Sequence, residues 1–157
     1  MKNLKHLLTQ PLKPVPLSIV AFALVIGLIG FADASYLTLE RVQGIIPPCT
    51  IAGCDIVLTS QYSAIAGVPV SLLGVIFYLA TLIGLFIYIE SRNLKVLKLT
   101  LGFSAVGFLS TLWFLFVQAV LLKAFCQYCL ISAVTSTILF GMAIWVFSKY
   151  RTTDTLA

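Results

Sequence analysis

The stretch AFCQYCL, residues 124–130, carries two thiols three positions apart, Cys126 and Cys129. In a cytosolic chain beside a βαβ pattern, Cys-x-x-Cys points to a thioredoxin-like redox motif. Here it opens an apolar run long enough to cross a membrane. A second pair, Cys49 and Cys54, lies in PPCTIAGCD. Two such pairs on one side of a membrane are compatible with two structural bridges, a metal site or a redox relay. A bridge inside one short loop constrains little chain. A zinc site of four thiolates would set one pair at the lipid boundary between apolar flanks. The spacing favours the relay. Residues i and i+3 share a helix face, and the free N–H groups and dipole at a helix N-terminus favour a thiolate. A low-pKa thiol is also a good leaving group in disulfide exchange. Cys129 lies one turn deeper than Cys126, where a lipid-soluble electron acceptor would meet it. Pro47 and Pro48 favour an extended approach to the loop pair, and Gly53 permits a tight turn. A loop pair is within reach of a partner protein, and the loop is able to carry Cys54 to Cys126.

The elements that must position these thiols are membrane spans. The chain has 157 residues, 61% of them hydrophobic and only 10% charged, too little polar material to cover a soluble domain. Four apolar blocks, Leu17–Leu39, Val68–Ile89, Leu97–Leu122 and Phe125–Phe147, are each long enough to cross the hydrocarbon core. The expected fold is an all-α four-transmembrane-helix bundle over residues 17–147, with tails at 1–16 and 148–157. The stretch Gln61–Ala66 is too short to span and reads as a half-helix over the bundle mouth. Lys2, Lys5, Lys13, Arg92, Lys95, Lys98, Lys149 and Arg151 fall on one side, and only Arg41 and Lys123 on the other. The positive-inside rule then makes both tails and the middle connector cytoplasmic. All four cysteines face outward, to a compartment that permits disulfides. A competing reading takes the basic start, the apolar run Leu17–Phe31 and Ala32-Asp33-Ala34 as a signal peptide with an A-x-A site. The apolar run continues through Tyr36, Leu37 and Leu39, which favours a span. The net charge of +5 forms no basic stripe interleaved with aromatics, so no nucleic-acid partner is expected.

The order of a first span, C-x4-C, VLTSQYSAIAGVPVSLLGVIFY, a third span and CQYC resembles the bacterial branch of the vitamin K epoxide reductase family. The resemblance covers about Asp33 to Gly141. It is most specific at Cys54 followed six positions later by Ser60, at Gly67-Val68-Pro69 through Gly74 to Tyr78, and at the Cys-x-x-Cys. It implies a four-helix bundle around a quinone, in a bacterial inner membrane. By the same resemblance Cys126 and Cys129 are the active-site pair, and Cys49 and Cys54 shuttle electrons from a thioredoxin-fold, DsbA-like partner. Cys54 attacks the Cys126–Cys129 bridge at Cys126, Cys129 faces the quinone, and Ser60 lies beside the active site. The family often carries a thioredoxin-like domain after the last span; about ten residues follow Phe147 here, so a separate partner is expected. The animal enzymes hold the vitamin K carbonyls with an Asn and a Tyr where this chain has Val70 and Ala133. That departure favours ubiquinone or menaquinone reduction over epoxide reduction. The loop pair is also closer together than in the animal enzymes. A DsbB-type thiol oxidase would carry its two pairs in the reverse order. The remaining alternative is a membrane scaffold with structural disulfides.

Asp33 is an ionisable group inside the first block and a candidate proton acceptor or polar partner of Ser60 or Tyr62; the plainer reading is a solvated interfacial carboxylate. Ser60 also suits the N-cap of Gln61–Ala66. Pro69 suits the first turn of the second span. Gly67, Gly74, Gly102 and Gly107 are candidates for close helix approach. Trp113 and Tyr128 are aromatic enough to stack on a quinone, although packing or interface anchoring explains each as well. Pro11–Pro16 reads as a stiff lead-in to the first span, and His6 carries no assigned chemistry.

Overall fold

The computed structural model describes residues 14–51 and 53–150. Lys2, Lys5, Lys13, His6, Pro11 and Arg151 lie outside the described residues. Four long helices are apolar enough to cross a membrane. They are α1 (Leu17–Gln43), α3 (Val70–Ser91), α4 (Leu94–Phe116) and α5 (Gln127–Tyr150). A π-helical turn, Val117–Leu122, extends α4. The contacts α1–α3, α3–α4, α4–α5 and α5–α1 close the bundle into a ring. Large apolar side chains such as Phe22, Ile29, Ile83, Phe86 and Leu109 point outward, as lipid-facing positions do. The chain is a multi-pass membrane protein.

Packing of α1 follows from its small residues. Its buried positions Val20, Ala23, Gly27, Gly30, Ala34 and Leu37 are spaced by three and four, which sets them in one stripe. Small side chains in a membrane interface let backbones approach. Gly30 lies under the ring of Tyr78, where a Cβ would collide, and Ala34 meets Gly74. The Tyr78 hydroxyl then bridges to α5, to the Ser132 carbonyl at 2.9 Å and Thr135 Oγ1 at 2.7 Å. Gly107 packs under Phe77. Of the other glycines expected at helix contacts, Gly102 meets nothing and Gly67 lies in a turn. At the far end, Tyr88 is fully buried and bonds the main chain of Val15 at 3.0 and 3.3 Å.

The connector after α1 departs from expectation. Its short helix, α2, runs Cys54–Thr59, not Gln61–Ala66. Only a 3₁₀ turn, Gln61–Ser63, forms in the expected stretch. Ser60 is extended and its Oγ donates to the Val57 carbonyl at 2.8 Å. It therefore closes the end of α2, and its side chain does not cap the 3₁₀ turn. Beyond that turn, Ala64–Ile65 (β1) pairs antiparallel with Val68–Pro69 (β2). The two-residue link Ala66-Gly67 has positive φ at both positions, as a tight hairpin requires. Pro69 precedes the first residue of α3 rather than occupying its first turn.

Candidate functional site

The four cysteines converge at one end of the bundle. Cys49 and Cys54 are disulfide-bonded, and Cys126 and Cys129 are free thiols. Cys54, Val57, Ala124 and Cys126 form one buried cluster, with Cys49, Leu58 and Cys129 packed around it. Gly53 makes this possible. Its φ of +116° suits glycine, and a Cβ there would lie 3.0 Å from Ala124 Cβ and 3.3 Å from the Phe125 nitrogen. The backbone that starts α2 thus rests directly on the segment leading to Cys126.

The two residues between Cys126 and Cys129 hold the loop. The Oε1 of Gln127 accepts from the Thr50 N–H at 3.0 Å and from the Thr50 hydroxyl. The Tyr128 hydroxyl donates to the Pro48 carbonyl at 3.0 Å, and its ring packs on Tyr36. Pro48 and Thr50 flank Cys49, so the two residues between Cys126 and Cys129 hold the Cys49–Cys54 loop on both sides of its first sulfur. Arg41 Nη1 completes the scaffold with bonds to the Leu58 carbonyl at 2.6 Å and Ser63 Oγ at 2.9 Å. These roles for Gln127, Tyr128 and Arg41 are carried by long-range contacts that linear spacing does not encode.

Cys126 is fully buried and precedes α5, with its carbonyl accepting from the Leu130 N–H. A hydrogen bond from the Cys129 thiol, helped by backbone N–H groups of Cys129 and Tyr128, pulls the Cys126 thiol down to about 7 against the opposing effect of burial. The Cys126 N–H itself is taken by Gln118 Oε1 at 2.9 Å. Sequence reasoning passed over Gln118, although an amide inside an apolar block eight residues before Cys126 is a signal.

Below the sulfurs lies a cavity of about 710 Å³ lined by residues of all four long helices, within the range of small-molecule sites. Cys129 lines it, together with Asp33, Ser60 and Tyr62; Cys49, Cys54 and Cys126 do not. Asp33 Oδ2 is buried with no hydrogen-bond partner among the described residues. The expected contact of Asp33 with Ser60 is not formed, since the Ser60 hydroxyl serves Val57. Val70 and Ala133 both line the cavity. Trp113 is 52% exposed and packs beside Phe116, so it faces outward.

The sequence matches the model of the vitamin K epoxide reductase family over residues 21–144. The chain belongs to that family. No curated protein matches its sequence. Family membership makes the protein a membrane oxidoreductase. The cavity suits a quinone ring: its walls are mainly apolar, with a few polar groups and one thiol facing in.

Proposed function

We propose that the protein is a quinone-dependent thiol oxidase of the bacterial inner membrane that reoxidises a periplasmic thioredoxin-fold partner of the DsbA type. One observation carries this reading: Cys54 and Cys126 share a buried cluster, whereas Cys129 alone of the four cysteines lines the cavity. The arrangement suits a relay with a protein-facing and a lipid-facing end.

The partner's dithiol reduces the Cys49–Cys54 bridge and leaves as a disulfide. The Cys54 thiolate attacks Cys126 of an oxidised Cys126–Cys129 pair, and Cys129 leaves with the electron pair. Cys49 then attacks Cys54, restoring the loop disulfide and releasing Cys126. A thiol held near 7 is a good leaving group at that step. A free dithiol beside an intact loop bridge is the arrangement such an exchange would leave, which supports the reading. When bound, ubiquinone or menaquinone accepts two electrons and two protons. Cys126 and Cys129 supply both and return to a disulfide. Ser60 and Asp33 line the cavity; in this reading the Asp33 carboxylate, whose Oδ2 has no partner among the described residues, takes a proton and passes it on. Val70 and Ala133 offer no donors to a vitamin K carbonyl, which supports plain quinone reduction.

Purified protein, a short-chain quinone and a reduced thioredoxin-fold protein test the reading by optical detection of quinol. Cys126→Ser and Cys129→Ser each abolish turnover. Cys49→Ser and Cys54→Ser stop oxidation of the protein partner, yet leave turnover driven by a small dithiol that acts directly on Cys126–Cys129. Full activity in all four variants would leave the scaffold reading standing in its place.

A further inference from the structure

We propose that Gln118 donates a hydrogen bond from Nε2 to a quinone carbonyl oxygen, holding the ring beside Cys129 while its other end fixes the backbone of Cys126. This inference rests on the quinone reading above. Gln118 is only 2% exposed, yet it lines the cavity. A backbone N–H only donates, so its 2.9 Å contact with Cys126 fixes the amide with Oε1 toward that nitrogen. The two Nε2 hydrogens then point elsewhere, and no described residue accepts them. Nor is Nε2 among the polar atoms sealed in the protein without a partner. The cavity is the space onto which these donors open.

Several hydroxyls on the cavity wall are already committed. Thr111 and Ser136 bond each other, Ser132 Oγ lies 3.1 Å from the Tyr78 hydroxyl, and Ser60 serves Val57. Gln118 is also held rigidly. It lies in the π-helical turn, and its own carbonyl accepts from the Ala124 N–H at 3.1 Å. Single π-helical turns of this kind are frequent at functional sites. One amide therefore joins the acceptor's carbonyl to the backbone of the active-site cysteine. Substrate seating and thiol placement become a single unit.

A ubiquinone analogue labelled with carbon-13 at its carbonyls provides the test, in detergent-solubilised full-length protein. The infrared carbonyl band of the bound quinone is expected to split, with one component below the free frequency. In Gln118→Leu the lowered component disappears, and the equilibrium Kd of the quinone rises about two- to tenfold. That variant also strips the acceptor from the Cys126 N–H, so Gln118→Glu is measured beside it. At alkaline pH a carboxylate keeps the acceptor and loses the donors. It is expected to lose the lowered band while the folded thermal transition is retained. An unshifted carbonyl in bound wild type, or a lowered band that survives in both variants, overturns the assignment and leaves quinone reduction intact. Wild-type protein that binds no quinone removes the functional reading itself.

Discussion

At the scale of single residues, the two sulfurs of Cys-x-x-Cys are chemically unlike. Cys126 is buried against the loop, with its thiolate stabilised first by the Cys129 thiol. In protein with the loop disulfide intact, ultraviolet thiolate absorbance of Cys126 is expected to rise with a midpoint at about 7, against an ordinary thiol value of 9.0. Cys129→Ala removes the main donor and moves the midpoint upward; Cys129→Ser keeps a hydroxyl donor and moves it less. Midpoints unchanged from wild type in both variants would assign the shift to the backbone alone. The sign of the linkage is set by the direction of the shift: a depressed folded-state pKa stabilises the reduced protein above the unfolded pKa, and that contribution fades as pH falls through about 7. The spacing of the thiols announced redox chemistry, and Asp33 and Ser60 were legible as polar groups near a membrane site. Their neighbours were not. The Thr50–Gln127 and Pro48–Tyr128 bonds join residues 77 and 80 positions apart, and no local pattern signals such pairs. Gln127→Leu with Tyr128→Phe is expected to slow electron passage from the loop to Cys126, lowering partner-driven turnover. Small-dithiol turnover should persist, and an equal loss of both rates would contradict a loop-holding role.

Elements show where sequence patterns suffice and where they fail. The four spans emerge from length and hydropathy because the bilayer imposes both, and the helices fall within a few residues of the blocks. The connector was harder. Gln61–Ala66 has no breaker until Gly67, so it reads as helix. Tertiary context decides otherwise: Ser60 terminates α2, and positive φ at Ala66 and Gly67 turns the chain into a hairpin. The α1 stripe of Gly27, Gly30 and Ala34 was passed over in favour of Gly67, Gly74, Gly102 and Gly107, although its spacing by three and four is a signal; its partner Tyr78 has none. Two glycines test these contacts separately. Gly53→Ala adds a Cβ at 3.0 Å from Ala124 at a φ of +116°, and such strain costs about 1–3 kcal/mol. The expected result is a lower thermal midpoint and a reduced yield of the Cys54–Cys126 disulfide trapped in Cys49→Ser. Gly30→Ala drives into Tyr78 and is expected to loosen α1 from α3, lowering the thermal midpoint with the trap yield little changed. If Gly53→Ala traps as well as its parent, the loop does not depend on that seat.

At the scale of the whole molecule, the bundle has a chemical end and a sealed end. The sulfurs, the cavity and Arg41 gather at one. The other is closed by Tyr88 on Val15 and by buried Leu85, Leu97 and Val146, around a void of only about 20 Å³. Arg92, in the turn joining α3 to α4, and Lys95, in the first turn of α4, lie at this sealed end. The proposed relay between a soluble protein and a lipid-soluble acceptor needs this asymmetry, since its electrons would enter from water on one face and leave sideways into the cavity. It also needs the correct sense of insertion, because disulfides persist only in the outward compartment. The basic residues at the sealed end predict that this end is cytoplasmic. In protein whose native cysteines are replaced by serine, Ile51→Cys is expected to react with a membrane-impermeant maleimide on intact spheroplasts. Asn93→Cys is expected to react only after permeabilisation. The reverse pattern would set all four native sulfurs in a reducing cytosol, where the Cys49–Cys54 bridge would not last and the periplasmic role would be lost. Exchanging Arg92, Lys95 and Lys98 for glutamine weakens the orientation signal. A mixed labelling pattern with a fall in partner oxidation is then expected, because only correctly inserted copies present the loop to the partner.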